Sequence, residues 1–312
     1  MDISPELQSA ALIAVRDCMG VKAGEHVLVV TDGPMRKLAY ALQGAARGLA
    51  AEVLVIEMLP RRTNGEEPPP AVAELMRGMD VVLCPTSKSL THTDARRAAS
   101  AQGARVATLP GVTEEIMVRC MNADYHRIAA RTVALCDRLG RTSTIRVTAP
   151  AGTDIVLPVA GRTAHASSGL FRERGQWGNL PTGEAYLAPL EGQSRGVVVV
   201  DGAMAGVGMV RQPIRIAVEG GYATDISGGE EARRLIGLLE PHGQDARNVA
   251  EFGIGAVPAV PWLELRFSVA HRLTAGLMLV ASLALALRML RLTAPAPTPL
   301  DFPRSASGQI AA

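Results

Sequence analysis

His26-Val-Leu-Val-Val30, the turn Thr31-Asp-Gly-Pro34, the segment Met35 to Leu49 and then Glu52-Val-Leu-Val-Ile-Glu57 form the stretch that decides the fold. A short apolar run closed by a Gly-Pro turn reads as a buried strand, and the segment after it carries apolar residues at helical spacing. Strand, helix, strand in this order joins two parallel strands through a crossover, the basic unit of an α/β sheet.

Outward from that unit the pattern persists. Upstream, Leu7, Ala10, Ala11, Ala14, Val15 and Cys18 recur at three- and four-residue spacing, so Glu6 to Met19 is predicted as a helix with one buried face, stopped by Gly20 and Gly24. Downstream come a helix over Ala71–Met79, a strand over Asp80–Cys84, a helix over Thr93–Gln102, a strand over Arg105–Thr108 and a helical stretch from Thr113 to Leu139. Ligands of such sheets collect at the carboxyl ends of the strands, which directs attention to the turns Thr31–Pro34, Pro85–Thr93 and Leu109–Gly111. No G-x-G-x-x-G follows the first strand and there is no Walker A sequence, which argues against dinucleotide and nucleoside triphosphate binding.

After Gly140 the texture changes. Thr144–Thr148, Asp154–Pro158, Gly196–Asp201 and Ile214–Val218 are alternating apolar stretches between Gly, Pro and Asp turns, the signature of mostly antiparallel strands, with one helix over Gly228–Leu239. The small-residue run Gly202–Gly208 reads as a turn between strands. A third texture begins after Gly255, rich in Ala, Leu, Arg and Pro. Within it, Leu273–Leu287 is uncharged and, at 1.5 Å per residue, reaches about 22 Å as a helix against a hydrocarbon core of about 30 Å. The expected fold class is therefore α/β: an N-terminal parallel-sheet, Rossmann-like domain over 1–140, then a mostly antiparallel α+β metal-site domain over 141–255, with a divergent apolar tail over 256–312.

Composition bounds the function. The 312 residues are 48% hydrophobic and 20% charged, which describes a folded chain. The formal charge is +2 and aromatic residues make up 3%, so neither a basic field nor a stacking surface for nucleic acid is present. Cys18, Cys84, Cys120 and Cys136 follow no metal-binding spacing and read as reduced thiols in apolar segments. The acidic start, MDISPELQSA, is not that of a signal peptide, so a cytoplasmic location without membrane insertion is expected.

Two stretches carry the chemistry. In Gly178-Asn-Leu-Pro-Thr-Gly-Glu-Ala-Tyr-Leu187 a rigid turn fixes the direction of Glu184, and Tyr186 falls on the same side if the strand is regular. In Asp245–Gly255 the carboxylate of Glu251 alternates with Ala250 and Phe252 on a mostly buried strand. An ionised carboxylate buried alone costs several kcal/mol, so each must meet an arginine, backbone donors or a metal, or take a proton. Arg172, Arg174 and Arg247 are the candidate partners of Glu184, and paired oxygen ligands for a divalent metal are the functional alternative. His92 lies in the Ser/Thr-rich turn after the third strand, where Thr91 or Thr93 is placed to cap the next helix.

The segments around Glu184 and Glu251 resemble the N-L-P-T-x-E and A-E-x-G-I-G motifs of the aminopeptidase T/aminopeptidase S family of metallo-aminopeptidases. The likeness spans about residues 10–255 and includes Glu67-Pro-Pro-Pro70, Val81–Leu83, Thr86–Thr93 with Arg96, and Asp201-Gly202. It implies a homodimeric, metal-dependent aminopeptidase-like hydrolase that removes N-terminal residues from peptides, with a peptide or small molecule as substrate. Glu184 and Glu251 would be metal ligands to one or two zinc, cobalt or manganese ions, with His92 and Tyr186 as catalytic candidates. The family completes its metal set downstream with one His and a His-x-Asp pair. Here His271 sits in an Arg-flanked apolar run and Asp301 has no His two residues before it. The resemblance thus implies an impaired enzyme, with a frameshifted or replaced C-terminal segment. The Ser-x-x-His-Thr turn carries a second likeness, to iron-dependent ring-cleaving dioxygenases acting on dihydroxypyridines, in which His92 would be the general base. An inactive remnant is the third reading.

Overall fold

The computed structural model describes residues 2–256 and the backbone of 277–282 and 290–293. His271, Asp301, the rest of the 256–312 tail and most of Leu273–Leu287 lie outside the described residues. Four strands run in parallel from the first half of the chain: β1 (His26–Asp32), β2 (Glu52–Met58), β3 (Val81–Cys84) and β4 (Arg105–Thr108). The chain starts with α1 (Pro5–Leu12), capped by Ser4, whose side chain accepts from the Leu7 amide, and continues as a π-helical turn over Ile13–Cys18. α2 (Arg36–Arg47), α3 (Pro70–Arg77) and α4 (Asp94–Ala101) connect the strands. The helical stretch predicted from Thr113 to Leu139 is two helices, α5 (Glu114–Met121) and α6 (Tyr125–Gly140). Asn122 leaves the helical region at ψ 61°, and Asp124 caps the second helix.

The apolar β1 side chains alternate between two cores, because successive residues point to opposite faces. Val27 and Val29 pack with Leu7, Leu42 and Met117 beneath α1, α2 and α5, whereas Leu28 and Val30 pack with Met76, Leu90 and Ala99 beneath α3 and α4. Burying each such side chain contributes roughly 1.5–3 kcal/mol, which is why a run apolar at every position belongs in the centre of a two-faced sheet.

The second half builds two further sheets. Its strands are β5 (Thr144–Thr148), β6 (Asp154–Pro158), β7 (His165–Ser167), β8 (Trp177–Asn179), β9 (Glu184–Leu187) and β10 (Arg195–Val200). They continue with β11 (Ala203–Met204), β12 (Gly208–Met209), β13 (Ile214–Glu219), β14 (Tyr222–Ser227), β15 (Val249–Gly255), β16 (Leu277–Ser282) and β17 (Leu290–Thr293), with α7 (Glu230–Leu239) after β14. The sheet orders are β14-β13-β10-β6-β5-β17 and β16-β15-β9-β7, and β11 and β12 form the hairpin around Gly202–Gly208. Leu277–Ser282, which a helical reading also covers, is a strand paired in parallel with β15.

The mixed α/β architecture is the one expected, with one connection that the sequence pattern does not reveal. β8 leaves the second half and adds to β4 as the fifth parallel strand, giving the order β2-β1-β3-β4-β8. Asn179 at its end leads directly into the turn that presents Glu184.

Candidate functional site

The turn Thr182-Gly183 is held from both sides. Ser167 and Thr182 share a hydroxyl hydrogen bond of 2.8 Å, and the Ala256 amide donates to the Gly183 carbonyl at 2.7 Å. Glu184 therefore enters β9 in a fixed direction. In the ladder Glu184 lies opposite Ser167 and Gly255, and Tyr186 lies opposite His165 and Gly253. Directly opposed residues share a face. Glu251 joins that face by the two-residue period of β15, while Ala185, Leu187, Phe252 and Ile254 fill the core on the other side. Gly253 and Gly255 leave the middle of the face bare, and the Glu184 carboxylate lies over Gly253, where a Cβ would stand 2.9 Å from its Cδ. His165 stacks on Tyr186 at 5.4 Å between ring centroids.

Among the described residues no arginine neutralises the pair. Arg174 donates to the Gln102 carbonyl, Arg247 to the Ala223 carbonyl, and Arg172 lies beside Gly20. Glu184 is 8% exposed, and its Oε1 is buried without a hydrogen-bond partner among the described residues. Burial, and next the charge of Glu251, push its carboxyl up to about 7. Burial also raises Glu251. The Tyr186 hydroxyl is raised by burial and then by the charges of Glu251 and Glu184. This is a site that favours arrival of positive charge. An orphaned buried carboxylate oxygen, a like-charged neighbour and a floor of glycines fit a divalent cation held through oxygen. The described residues contain no group of three His, Cys, Asp or Glu able to hold a metal.

His92 belongs to the other sheet. It sits in the turn between β3 and α4, edge-on to Trp177 at 6.4 Å. Thr93 is the cap of α4, accepting from the Arg96 amide. Thr91 braces the turn: its hydroxyl, which accepts from Ser89 Oγ, stands 2.7 Å from that of Thr108, and Thr108 donates to Asn179 Oδ1 at 2.6 Å, so that Thr91 has its acceptor in Thr108 or in Asn179 Oδ1 at 3.0 Å. The structure thus brings Glu184, Tyr186 and Glu251 onto one face and places His92 at the carboxyl edge of the parallel sheet, joined to that face through β8 and the Pro-Thr-Gly turn. Of the other edge turns, Thr31–Pro34 and Pro85–Thr93 meet where Asp32 accepts from the Ser87 amide and hydroxyl, at 2.8 and 2.6 Å. His165, Trp177 and the glycine floor escape the sequence reading. The floor had a signal, since 251, 253 and 255 alternate as Glu, Gly, Gly.

A parallel five-strand sheet with antiparallel sheets and helices defines a mixed α/β protein. The chain belongs to the NicX family, 2,5-dihydroxypyridine 5,6-dioxygenase, whose model matches residues 10–281, and this is a metal-dependent enzyme family. Among solved structures it is similar to the 2,5-dihydroxypyridine dioxygenase from Pseudomonas putida KT2440, with a TM-score of 0.71 and 20% identity over 88% of this chain and 82% of that one. It is also similar to wild-type AmpT from Thermus thermophilus, with a TM-score of 0.56 and 19% identity over 80% and 78%. At these identities the structural likeness concerns the fold. No curated protein matches.

These findings overturn the assignment to the aminopeptidase T/aminopeptidase S family, and with it the hydrolase, protease and metalloprotease reading of the two motifs. The physical reason lies in what the motifs encode. A turn that aims one glutamate and a strand that carries another place two oxygens on a sheet, and that placement serves more than one reaction. No helix among the described residues is long and apolar enough to cross a membrane.

Proposed function

We propose that this protein is a non-haem iron, ring-cleaving dioxygenase acting on a small hydroxylated pyridine. The observation that carries the reading is the family match over residues 10–281. The acidic pair supports it, because Glu184 Oε1 is buried without a hydrogen-bond partner, and Glu184 and Glu251 meet no neutralising arginine, among the described residues. These two side chains would hold the iron, which when bound supplies the redox and Lewis-acid chemistry that couples dioxygen to an aromatic ring.

The remaining work falls to the chain's own groups. Tyr186, its hydroxyl held protonated by burial and by the two carboxylates, presents a hydrogen-bond donor beside the pair. His92 accepts the proton of a ring hydroxyl, which raises the electron density of the ring. The Thr91–Thr108–Asn179 hydrogen bonds keep the turn bearing that imidazole in one place.

The test is oxygen uptake. Protein loaded anaerobically with ferrous iron and then given 2,5-dihydroxypyridine and air is expected to consume one dioxygen per ring, with loss of the ring's ultraviolet absorbance. A folded, iron-loaded protein that consumes no oxygen with this or other dihydroxypyridines would overturn the reading.

A further inference from the structure

Tyr186 lies half-buried on the face that carries Glu184 and Glu251, and among the described residues its hydroxyl makes no hydrogen bond. Packing contacts therefore choose among its staggered χ1 wells. In the ladder its direct neighbours are His165 on β7 and Gly253 on β15. Gly253 sets no side chain against the phenol, and the space where its Cβ would stand is taken by the Glu184 carboxylate. At that position β15 opposes the ring with backbone alone.

β7 supplies what β15 lacks. The imidazole of His165 stacks on the phenol, with ring centroids 5.4 Å apart and planes 30° from parallel, inside the range of offset-stacked aromatic pairs. The side chain of His165 is exposed and, among the described residues, enters no hydrogen bond or ion pair. It adds nothing to the core, where Ala185 and Leu187 fill the opposite side of the sheet. Among the described strands β7 ends its sheet, in the order β16-β15-β9-β7. No further strand stands beyond His165 to stop the phenol once the imidazole is gone. The consequence falls on the hydroxyl. The charges of Glu251 and Glu184 reach Tyr186 in its present place, and a ring turned toward the open edge would carry its hydroxyl away from the middle of the face.

We propose that His165 is a positioning residue, whose imidazole stacks on the Tyr186 phenol and keeps its hydroxyl beside the Glu184–Glu251 pair. His165 acts as a ring through Tyr186, with no proton exchanged and no bond to metal. Its effect on turnover rests on the ring-cleaving reading, whereas the placement of the phenol does not.

Crystal structures of metal-free wild type, His165→Ala and His165→Phe read that placement directly. Tyr186 is expected to leave its wild-type rotamer, or to split between two, in His165→Ala and to keep it in His165→Phe. In oxygen uptake with ferrous iron and 2,5-dihydroxypyridine, His165→Ala should lower kcat about tenfold with KM nearly unchanged. His165→Phe should restore most of that loss, and in a Tyr186→Phe background His165→Ala should have no further effect. An unmoved Tyr186 in His165→Ala, turnover in His165→Phe as low as in His165→Ala, or an undiminished loss in the Tyr186→Phe background would each overturn the proposal. A wild-type chain that consumes no oxygen would sink the ring-cleaving reading, and the crystal structures would still decide whether His165 holds the phenol.

Discussion

The Glu184 carboxylate occupies the space that any side chain at Gly253 would fill, since a Cβ built there would collide with Oε1. Gly253→Ala is therefore expected to push Glu184 off the face while the ladder to Tyr186 persists. Overpacking of this kind costs roughly 1–3 kcal/mol. The informative readout is cation binding: ferrous or manganous ion should stabilise wild type by RT ln(1 + [L]/Kd), and the variant should need about tenfold more metal for the same rise in Tm. An unchanged metal titration in Gly253→Ala would separate Glu184 from metal binding.

Without metal, the acidic pair should make stability fall as pH rises. The Glu184 carboxyl lies at about 7 in the folded chain against an ordinary 4.5, so the native state binds the extra proton between those values. A raised pKa means stability that is fully present below about 4.5 and lost as pH passes 7, worth about 3 kcal/mol for a shift of this size. Glu184→Gln should remove that component, and Glu251→Gln should move it to lower pH by removing the neighbouring charge. Thermal melts of metal-free protein from pH 5 to 8, corrected against Glu184→Gln, check the sign.

How far the sequence led is clearest at particular residues. Apolar runs such as Val27–Val30 and Val106–Thr108 announce their strands because every side chain in them is buried. Glu184 and Glu251 stand out because a carboxylate within an apolar strand needs an explanation. Trp177 does not stand out. Its three-residue strand has no period to detect, and its pairing with Val106 depends on a partner distant in sequence. The residues around both glutamates specify a turn and a strand and leave the choice of substrate to other parts of the molecule, whereas the Ser-x-x-His-Thr turn carries the dihydroxypyridine-dioxygenase likeness, the second reading of the sequence, which the family match favours over the first.

Arg105 and Glu25 make a second test of buried charge, distant from the acidic pair. Arg105 Nη2 donates to Glu25 Oε2 at 2.6 Å, with side-chain exposures of 4% and 19%. Glu25→Ala strands the more deeply buried ion and is expected to cost about 3 kcal/mol. Arg105→Met should cost less, because Glu25 still accepts from the Lys22 amide and reaches water, and because Arg105 Nε already lacks a partner among the described residues. Urea denaturation of the two variants gives the ranking, and the reverse order would contradict the burial asymmetry.

Asn179 couples the two halves of the candidate site, because its Oδ1 accepts from Thr108, whose hydroxyl bonds that of Thr91 beside His92, while its own strand runs into the turn before Glu184. Asn179→Ala removes the acceptor at the end of this hydroxyl chain and is expected to cost about 1–2 kcal/mol. If His92 handles the substrate proton, loosening its turn should lower turnover about tenfold and flatten the acid limb of the pH–rate profile, as His92→Asn does more strongly. Asn179 is not on the face that carries Glu184 and Glu251, so the metal-induced rise in Tm should be unchanged. Oxygen uptake and metal-dependent melting measured on the same preparation separate these effects, and a variant that loses both together would assign Asn179 to the fold alone.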